Sequence, residues 1–167
     1  YQILERLGAG HEGEVYKVEE LNTKKLRAIK IYYSIRNPKF KTSIRYAQKL
    51  DKLNASKIVM NYHSHEYLIF KGEKVACIVG EFIAGEMLGE FVEKQRGKRL
   101  GIFPALHLLH SLVKCLEVIH LSGEYHGDLH TDNIMIKKFG LEFDLKIIDF
   151  LHWGDSKKDN RDEDIIK

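Results

Sequence analysis

His126-Gly127-Asp128-Leu129-His130-Thr131-Asp132-Asn133, followed further along by Ile147-Ile148-Asp149-Phe150, decides how this chain is read. The stretch sets a histidine, acids and an asparagine at the spacing used to move a phosphoryl group from ATP. That chemistry needs one carboxylate to orient the attacking hydroxyl, and oxygen or amide groups to hold magnesium against the phosphates. Asp128 fits the first task; Asn133 and Asp149 fit the second. Alone, an H-x-D-x-x-x-x-N match is only suggestive. It gains weight from a second signature upstream, in the right order.

That signature is Gly8-Ala9-Gly10-His11-Glu12-Gly13-Glu14-Val15, which reads G-x-G-x-x-G-x-V. Glycines let a turn lie close over phosphates, where a Cβ would obstruct the backbone. A dinucleotide-binding fingerprint uses the same letters but needs a helix to begin at the glycines. Here Glu14-Val15-Tyr16-Lys17-Val18 alternates as a strand instead. Arg27-Ala28-Ile29-Lys30-Ile31 follows, close to the V-A-I-K pattern in which the lysine meets phosphates.

Together these motifs resemble the protein-kinase-like superfamily, from Tyr1 to about Asp164. The glycine-rich loop and A-I-K strand look like compact prokaryotic Ser/Thr protein kinases. The H-G-D-L-H-x-x-N loop is closer to aminoglycoside-type phosphotransferases. The resemblance implies an α+β, bilobal fold with ATP and Mg2+ between the lobes. Residues 1–82 would be the N-lobe, a five-stranded antiparallel sheet with one helix. Residues 83–167 would be the hinge and a truncated or minimal helical C-lobe.

It also implies roles for single residues. Gly8, Gly10 and Gly13 would close over the phosphates, and Lys30 would hold the α- and β-phosphates. Leu7, Val15, Ala28, Met135 and Ile148 would sandwich adenine, with backbone contacts from Glu81 and Ile83. Gly80, at the gatekeeper position, would leave an open pocket behind the base. Asp128 would be the catalytic carboxylate, with Lys30 and Asn133 completing the catalytic set, and Asn133 and Asp149 would bind magnesium. His126 would brace the loop backbone. His130 stands where protein kinases carry a lysine, as either a donor to phosphate or a packed imidazole. The acceptor would be a hydroxyl of a protein or of a small molecule.

Periodicity places strands at 1–9, 13–20, 25–33, 65–71 and 74–82, with a hairpin turn at Lys71-Gly72-Glu73. Helices are expected at 39–53, 86–95 and 103–122, the last with Pro104 in its first turn, a stripe through Leu108, Leu109, Leu112, Leu116 and Ile119, and a stop at Gly123. Short strands follow at 134–137 and 144–148.

Composition narrows the classes. The 167 residues carry a net charge of +3, too mild to argue for nucleic acid or a membrane surface. No apolar run approaches about 18 residues, so no bilayer span is expected. Cys77 and Cys115 read as buried free thiols of a reducing compartment, and a cytoplasmic address is the default. His107 with His110, and His63 with His65, lack an acid or cysteine at ligand spacing, so no metal is assigned to them. His11 is expected in solvent and Trp153 in packing. The run Asp155 to Asp164 mixes both signs and reads as a solvated loop.

The departures from the family pattern are informative. Kinases pair the strand lysine with a glutamate on the next helix. Here no glutamate lies between Glu20 and Glu66, and counting back from Leu53-Asn54-Ala55-Ser56-Lys57-Ile58-Val59 puts Tyr46 at that position. The ion pair is therefore absent or rebuilt. Gly127 replaces the arginine of H-R-D. Phe150-Leu151 replaces Phe-Gly, and Asp164-Ile165-Ile166 resembles the start of the C-lobe's anchoring helix. These departures keep a third reading open, a nucleotide-binding pseudokinase, beside the protein kinase and the small-molecule kinase.

Overall fold

The computed structural model describes residues 1–139 and 142–150. Leu151, Trp153, the 155–164 run and the 164–166 motif lie outside them. The described residues form two compact units: Tyr1–Asn54 with Met60–Ile83, and Ala55–Val59 with the residues from Ala84 onward.

The first unit is an antiparallel sheet of β1 (Gln2–Ala9), β2 (Gly13–Glu19), β3 (Leu26–Tyr32), β4 (Tyr62–Phe70) and β5 (Glu73–Glu81), ordered β1-β2-β3-β5-β4. One helix, α1 (Lys41–Leu53), is inserted after the third strand, as the sequence implied. β4 begins three residues earlier than the expected 65. Side chains alternate across a sheet with period two, which sorts these strands into two faces. Val18, Ile29, Ile31, Val75, Cys77 and Val79 form one sealed cluster, backed by Tyr16, Leu68 and Phe70. Val15, Ala28, Lys30, Ile78 and Gly80 alternate with them and occupy the opposite face. Burial pushes the Cys77 thiol up to about 11, so it is an inert core residue.

The β4–β5 turn is Lys71-Gly72, both at positive φ (52° and 84°), as a tight two-residue hairpin requires. α1 buries Tyr46, Ala47, Leu50 and Leu53 along one stripe. Its start is held by a buried polar knot. Asn37 Nδ2 donates to Ser43 Oγ (2.9 Å), the Ser43 amide donates to Asn37 Oδ1 (3.2 Å), and His65 Nε2 lies 2.9 Å from the same Oγ. Buried polar groups are tolerable when paired in this way. Desolvation holds His65 below the usual imidazole value.

The second unit is built on a three-stranded antiparallel sheet, β6 (Glu86–Met87), β7 (Ile134–Phe139) and β8 (Glu142–Ile147). The segment before β4 belongs here: the Ile147 amide donates to the Ile58 carbonyl (2.9 Å), and Val59 bridges Ile147 in parallel. Where one helix was expected over 86–95, the chain forms β6, then α2 (Leu88–Glu93), then a short 3-10 turn at Arg96–Lys98. Gly85 explains the difference. A Cβ there would lie 2.5 Å from the Ile136 carbonyl oxygen, so the backbone is pressed against β7 and pairs before it coils.

α3 (Ile102–Leu121) ends at Gly123, whose φ of 71° suits the left-handed stop expected of it. Its buried residues are Cys115 and Ile119. Leu109, expected in the buried stripe, is exposed, and with Ile102, Leu106 and Val113 it forms a second apolar stripe at helical spacing. The expectation about apolar length also needs correcting. α3 is 20 residues long with an 18-residue window of mean hydropathy 1.5, long and apolar enough to cross a bilayer by length and composition alone. Lys114, Glu117 and the histidines break the run in sequence without breaking the average.

Candidate active site

In the first unit the glycine-rich turn is closed by the Gly10 amide donating to the Gly13 carbonyl (2.9 Å). The three glycines are not equivalent. A Cβ on Gly13 would stand 2.0 Å from the Ile31 carbonyl oxygen, so Gly13 is required by the β2–β3 approach itself. Gly8 and Gly10 have nothing within 4 Å of such a Cβ, which leaves their backbone open to a ligand. Val15 lies opposite Lys30, and Ala28 opposite Gly80, so Val15, Ala28 and Lys30 do come onto one face of the sheet. Leu7 is exposed on β1, one residue before Gly8, which pairs with Val15.

Gly80 does not leave an open pocket. A Cβ there would meet Met60 Cε at 2.8 Å and Sδ at 2.9 Å, so the flexible thioether of Met60 fills the space that a larger gatekeeper would take. The Glu81 amide donates to the Asn61 carbonyl (2.9 Å), and the Asn61 amide donates to Glu81 Oε1 (2.9 Å). A contact from Glu81 to a base must therefore come from its carbonyl. Ile83 follows two residues later, at the end of this unit.

Lys30 is 15% exposed and is met by Glu12 Oε2 at 2.9 Å. The Tyr32 and Tyr46 rings stand 5.3 and 5.4 Å from its ammonium, within cation–π range. The register count that put Tyr46 opposite Lys30 is therefore met in space. Glu12 has one signal in the sequence, that it is the only acid between Gly8 and Gly13.

In the second unit, His126 is fully buried. Its Nδ1 accepts the Asp128 amide proton (3.2 Å), so Nε2 carries the ring proton and donates to the Ile148 carbonyl (2.9 Å). The ring also packs on Phe150, with centroids 4.7 Å apart. His126 thus braces the main chain on both sides of the loop, as its place in the motif suggested. Gly127, between His126 and Asp128, has a φ of 81°, a conformation that penalises the arginine of an H-R-D pattern.

Asn133 is buried, and its Nδ2 donates to the Asp128 carbonyl (2.9 Å). The Asn133 carbonyl in turn accepts the Ile148 amide proton (2.9 Å), which ties the loop to the residue before Asp149. Asp149 is itself left-handed, with φ 58°, a conformation Asp tolerates better than most residues and that is often held at functional sites. The Asp128 side chain is 44% exposed. His130 Nε2 lies 2.9 Å from Asn133 Nδ2 and 3.8 Å from Asp128 Oδ2, and at 47% exposed it is no packed core imidazole. Ile134, Ile136 and Ile147 are buried on one face of the sheet, and Met135 alternates onto the other; Ile148 follows the end of β8. His11, His107 and His110 are exposed.

Oxygen chemistry at the loop suits magnesium, which prefers one or two carboxylates with hard oxygen donors. Asn133 spends its Nδ2 on Asp128, which leaves Oδ1 as the atom to offer a cation, and Asp149 presents an exposed carboxylate.

The family model "Protein kinase domain" matches residues 1–164. A serine/threonine-protein kinase of Arabidopsis thaliana is 26% identical over 156 residues, 88% of this chain and 26% of its own. A putative dual specificity tyrosine-phosphorylation-regulated kinase 3 homolog of Drosophila melanogaster is 28% identical over 158 residues, 90% of this chain and 18% of its own. The chain thus spans about a quarter or less of the length of these relatives. A crystal structure of a double mutant of the Mycobacterium tuberculosis PknI kinase domain superposes with a TM-score of 0.67 at 19% identity, over 90% of this chain and 58% of that one. The motifs, the strand order with its inserted helix and the family match over nearly the whole chain make one conclusion: the chain belongs to the protein kinase domain family.

Proposed function

We propose that this chain carries the nucleotide and magnesium machinery of a Ser/Thr-type kinase that transfers the γ-phosphoryl group of ATP to a hydroxyl. The observation that carries the reading is the lock among Asp128, Asn133 and Ile148, braced by a buried, singly protonated His126. Preorganised groups of this kind are what phosphoryl transfer asks of a protein. Gly8 and Gly10 offer open backbone to the phosphates, and Gly13 keeps the turn in register. Lys30 holds the α- and β-phosphates. Val15, Ala28 and Leu7 of the first unit supply apolar contact to adenine, with Glu81 and Ile83 giving backbone contacts.

Asp128 orients the acceptor hydroxyl and takes its proton as the new O–P bond forms and the bond to the departing ADP breaks. Asn133 Oδ1 and Asp149 would hold Mg2+, which supplies positive charge to the developing transition state. A small-molecule acceptor is the second reading. It is favoured by His130, which replaces the usual lysine and lies beside Asp128. Both readings suit a reducing, ATP-supplied compartment such as the cytoplasm, since Cys77 and Cys115 are buried free thiols.

The test is transfer from γ-labelled ATP with magnesium, offering the protein itself, a generic protein and an aminosugar. Label on protein that disappears with Asp128→Asn supports the first reading, and label on the sugar supports the second. If Asp128→Asn and Asp149→Ala both keep full transfer, the assignment is wrong. ATP binding without transfer to any acceptor would point to a pseudokinase.

A further inference from the structure

The α1 position that faces Lys30 carries a tyrosine where a helix glutamate would stand. It is Tyr46, 2% exposed and fixed in the core of the first unit. A ring face attracts an ammonium but brings no full negative charge. The carboxylate comes from elsewhere: Glu12 Oε2 lies 2.9 Å from Lys30 Nζ, and the two side chains are 14% and 15% exposed.

This contact is built into the main chain. The Tyr33 amide donates to the Glu12 carbonyl (2.8 Å), tying Glu12 to the end of β3, the strand that carries Lys30. Gly13, the next residue, is pressed against the Ile31 carbonyl, which leaves the loop no freedom to slide along β3. Glu12 and Lys30 are thus registered to one another through β3, with Tyr32 and Tyr46 flanking the ammonium.

We propose that Glu12 is the positioning residue of Lys30, doing from the glycine-rich loop what a helix glutamate does in other kinases. The inference rests on the reading of Lys30 as the phosphate-binding lysine. It has a regulatory consequence. The loop that covers the phosphates also sets the lysine, so both are placed in one motion and a swing of α1 is not the control point.

The experiment uses the full chain with Glu12→Gln, Glu12→Asp, Lys30→Met and the double variant Glu12→Gln/Tyr46→Glu, each checked by thermal melting. The first readout needs no nucleotide. Lys30 is acylated with an amine-reactive ester and followed by mass spectrometry, with exposed Lys25 as internal standard. Removing a carboxylate beside an ammonium makes the ammonium easier to deprotonate. Glu12→Gln should therefore speed Lys30 acylation several-fold against Lys25, and Glu12→Asp should fall between. Equal rates in Glu12→Gln and wild type overturn the proposal.

The second readout is phosphoryl transfer. Misplacing a reacting group by about 1 Å costs on the order of 10²-fold. Glu12→Gln should lower kcat by that order with KM for MgATP changed much less, and returning a carboxylate through Tyr46→Glu should recover part of kcat. If the double variant does not fold, recovery by Glu12→Asp decides the matter. Full transfer by Glu12→Gln, with Lys30→Met inactive, overturns the role of Glu12 and leaves Lys30 standing. Full transfer by Lys30→Met overturns both.

Discussion

The lysine side of the molecule and the aspartate side differ in how they hold their charge. Lys30 is 15% exposed, paired with Glu12 and flanked by two tyrosine rings. Asp128 is 44% exposed, and what is fixed around it is the backbone, through His126 and Asn133. The first unit carries its functional charge as part of its structure; the second carries it on a rigid loop. A charge inside a packed unit needs a partner, or it costs the full desolvation of the group. A half-exposed charge keeps much of its hydration, so the backbone of the loop can set its position without burying it. The same contrast holds for the apolar surface. The first unit's central strands close on a sealed cluster, while α3 in the second leaves Ile102, Leu106, Leu109 and Val113 exposed among the described residues.

The sharpest way to break this comparison is to remove the two charges. Asp128→Asn should cut kcat by about 10²- to 10⁴-fold, as expected for a lost general base, with the melting temperature unchanged. Lys30→Met should abolish transfer and also lower stability, because the largely buried Glu12 carboxylate loses the cation beside it. Equal melting temperatures for the two variants would mean that Lys30 is no more structural than Asp128.

Core truncation comes next. Leu50→Ala, at a site with no exposure, should cost about 2–5 kcal/mol in a denaturant titration. The glycines then divide by their surroundings. Gly13→Ala should destabilise by about 1–3 kcal/mol, since a Cβ cannot fit against the Ile31 carbonyl without moving a strand. Gly10→Ala should leave stability alone and weaken only nucleotide binding, which equilibrium binding of labelled ATP would read out. If Gly10→Ala unfolds the chain instead, the loop is tied down more tightly than its open surroundings suggest.

On α3, Val113→Lys should change stability by no more than about 0.5 kcal/mol, because the side chain it replaces is exposed. A larger loss in a denaturant titration would show that the stripe is covered in solution. The smallest effect concerns His65, held below the usual imidazole value by desolvation. The unfolded chain takes up this proton first as pH falls. The stability His65 provides is therefore complete above about pH 6.5 and is lost as pH drops through the lower folded value. Wild type should lose more of its melting temperature between about pH 7.5 and about pH 5.5 than His65→Gln does. Identical slopes would remove His65 from the Ser43–Asn37 knot as a source of stability.

Much of this was legible in the chain. Strand alternation, the G-x-G-x-x-G-x-V turn and the helix over 39–53 are local patterns, and they specify the order of the first unit. Spacing alone singled out Asp128 and Asn133 on one loop and Asp149 just past the hairpin that follows it, and counting along α1 placed Tyr46 opposite Lys30. These features depend on residues near in sequence or on strict periods, and the chain encodes them directly.

What only the tertiary structure decided lies across longer gaps. Glu12 and Lys30 are eighteen residues apart, and only the β2–β3 register brings them together. Met60 fills the space beside Gly80 because a loop returns past β5, a route no pattern in either segment announces. The split of the expected 86–95 helix follows from Gly85 pressing on β7, about fifty residues away. Local sequence fixes φ, ψ and the alternation of faces. Which side chain meets a buried charge is settled by which backbones pack against each other, because a buried ammonium takes its partner from whichever strand or loop folding brings beside it.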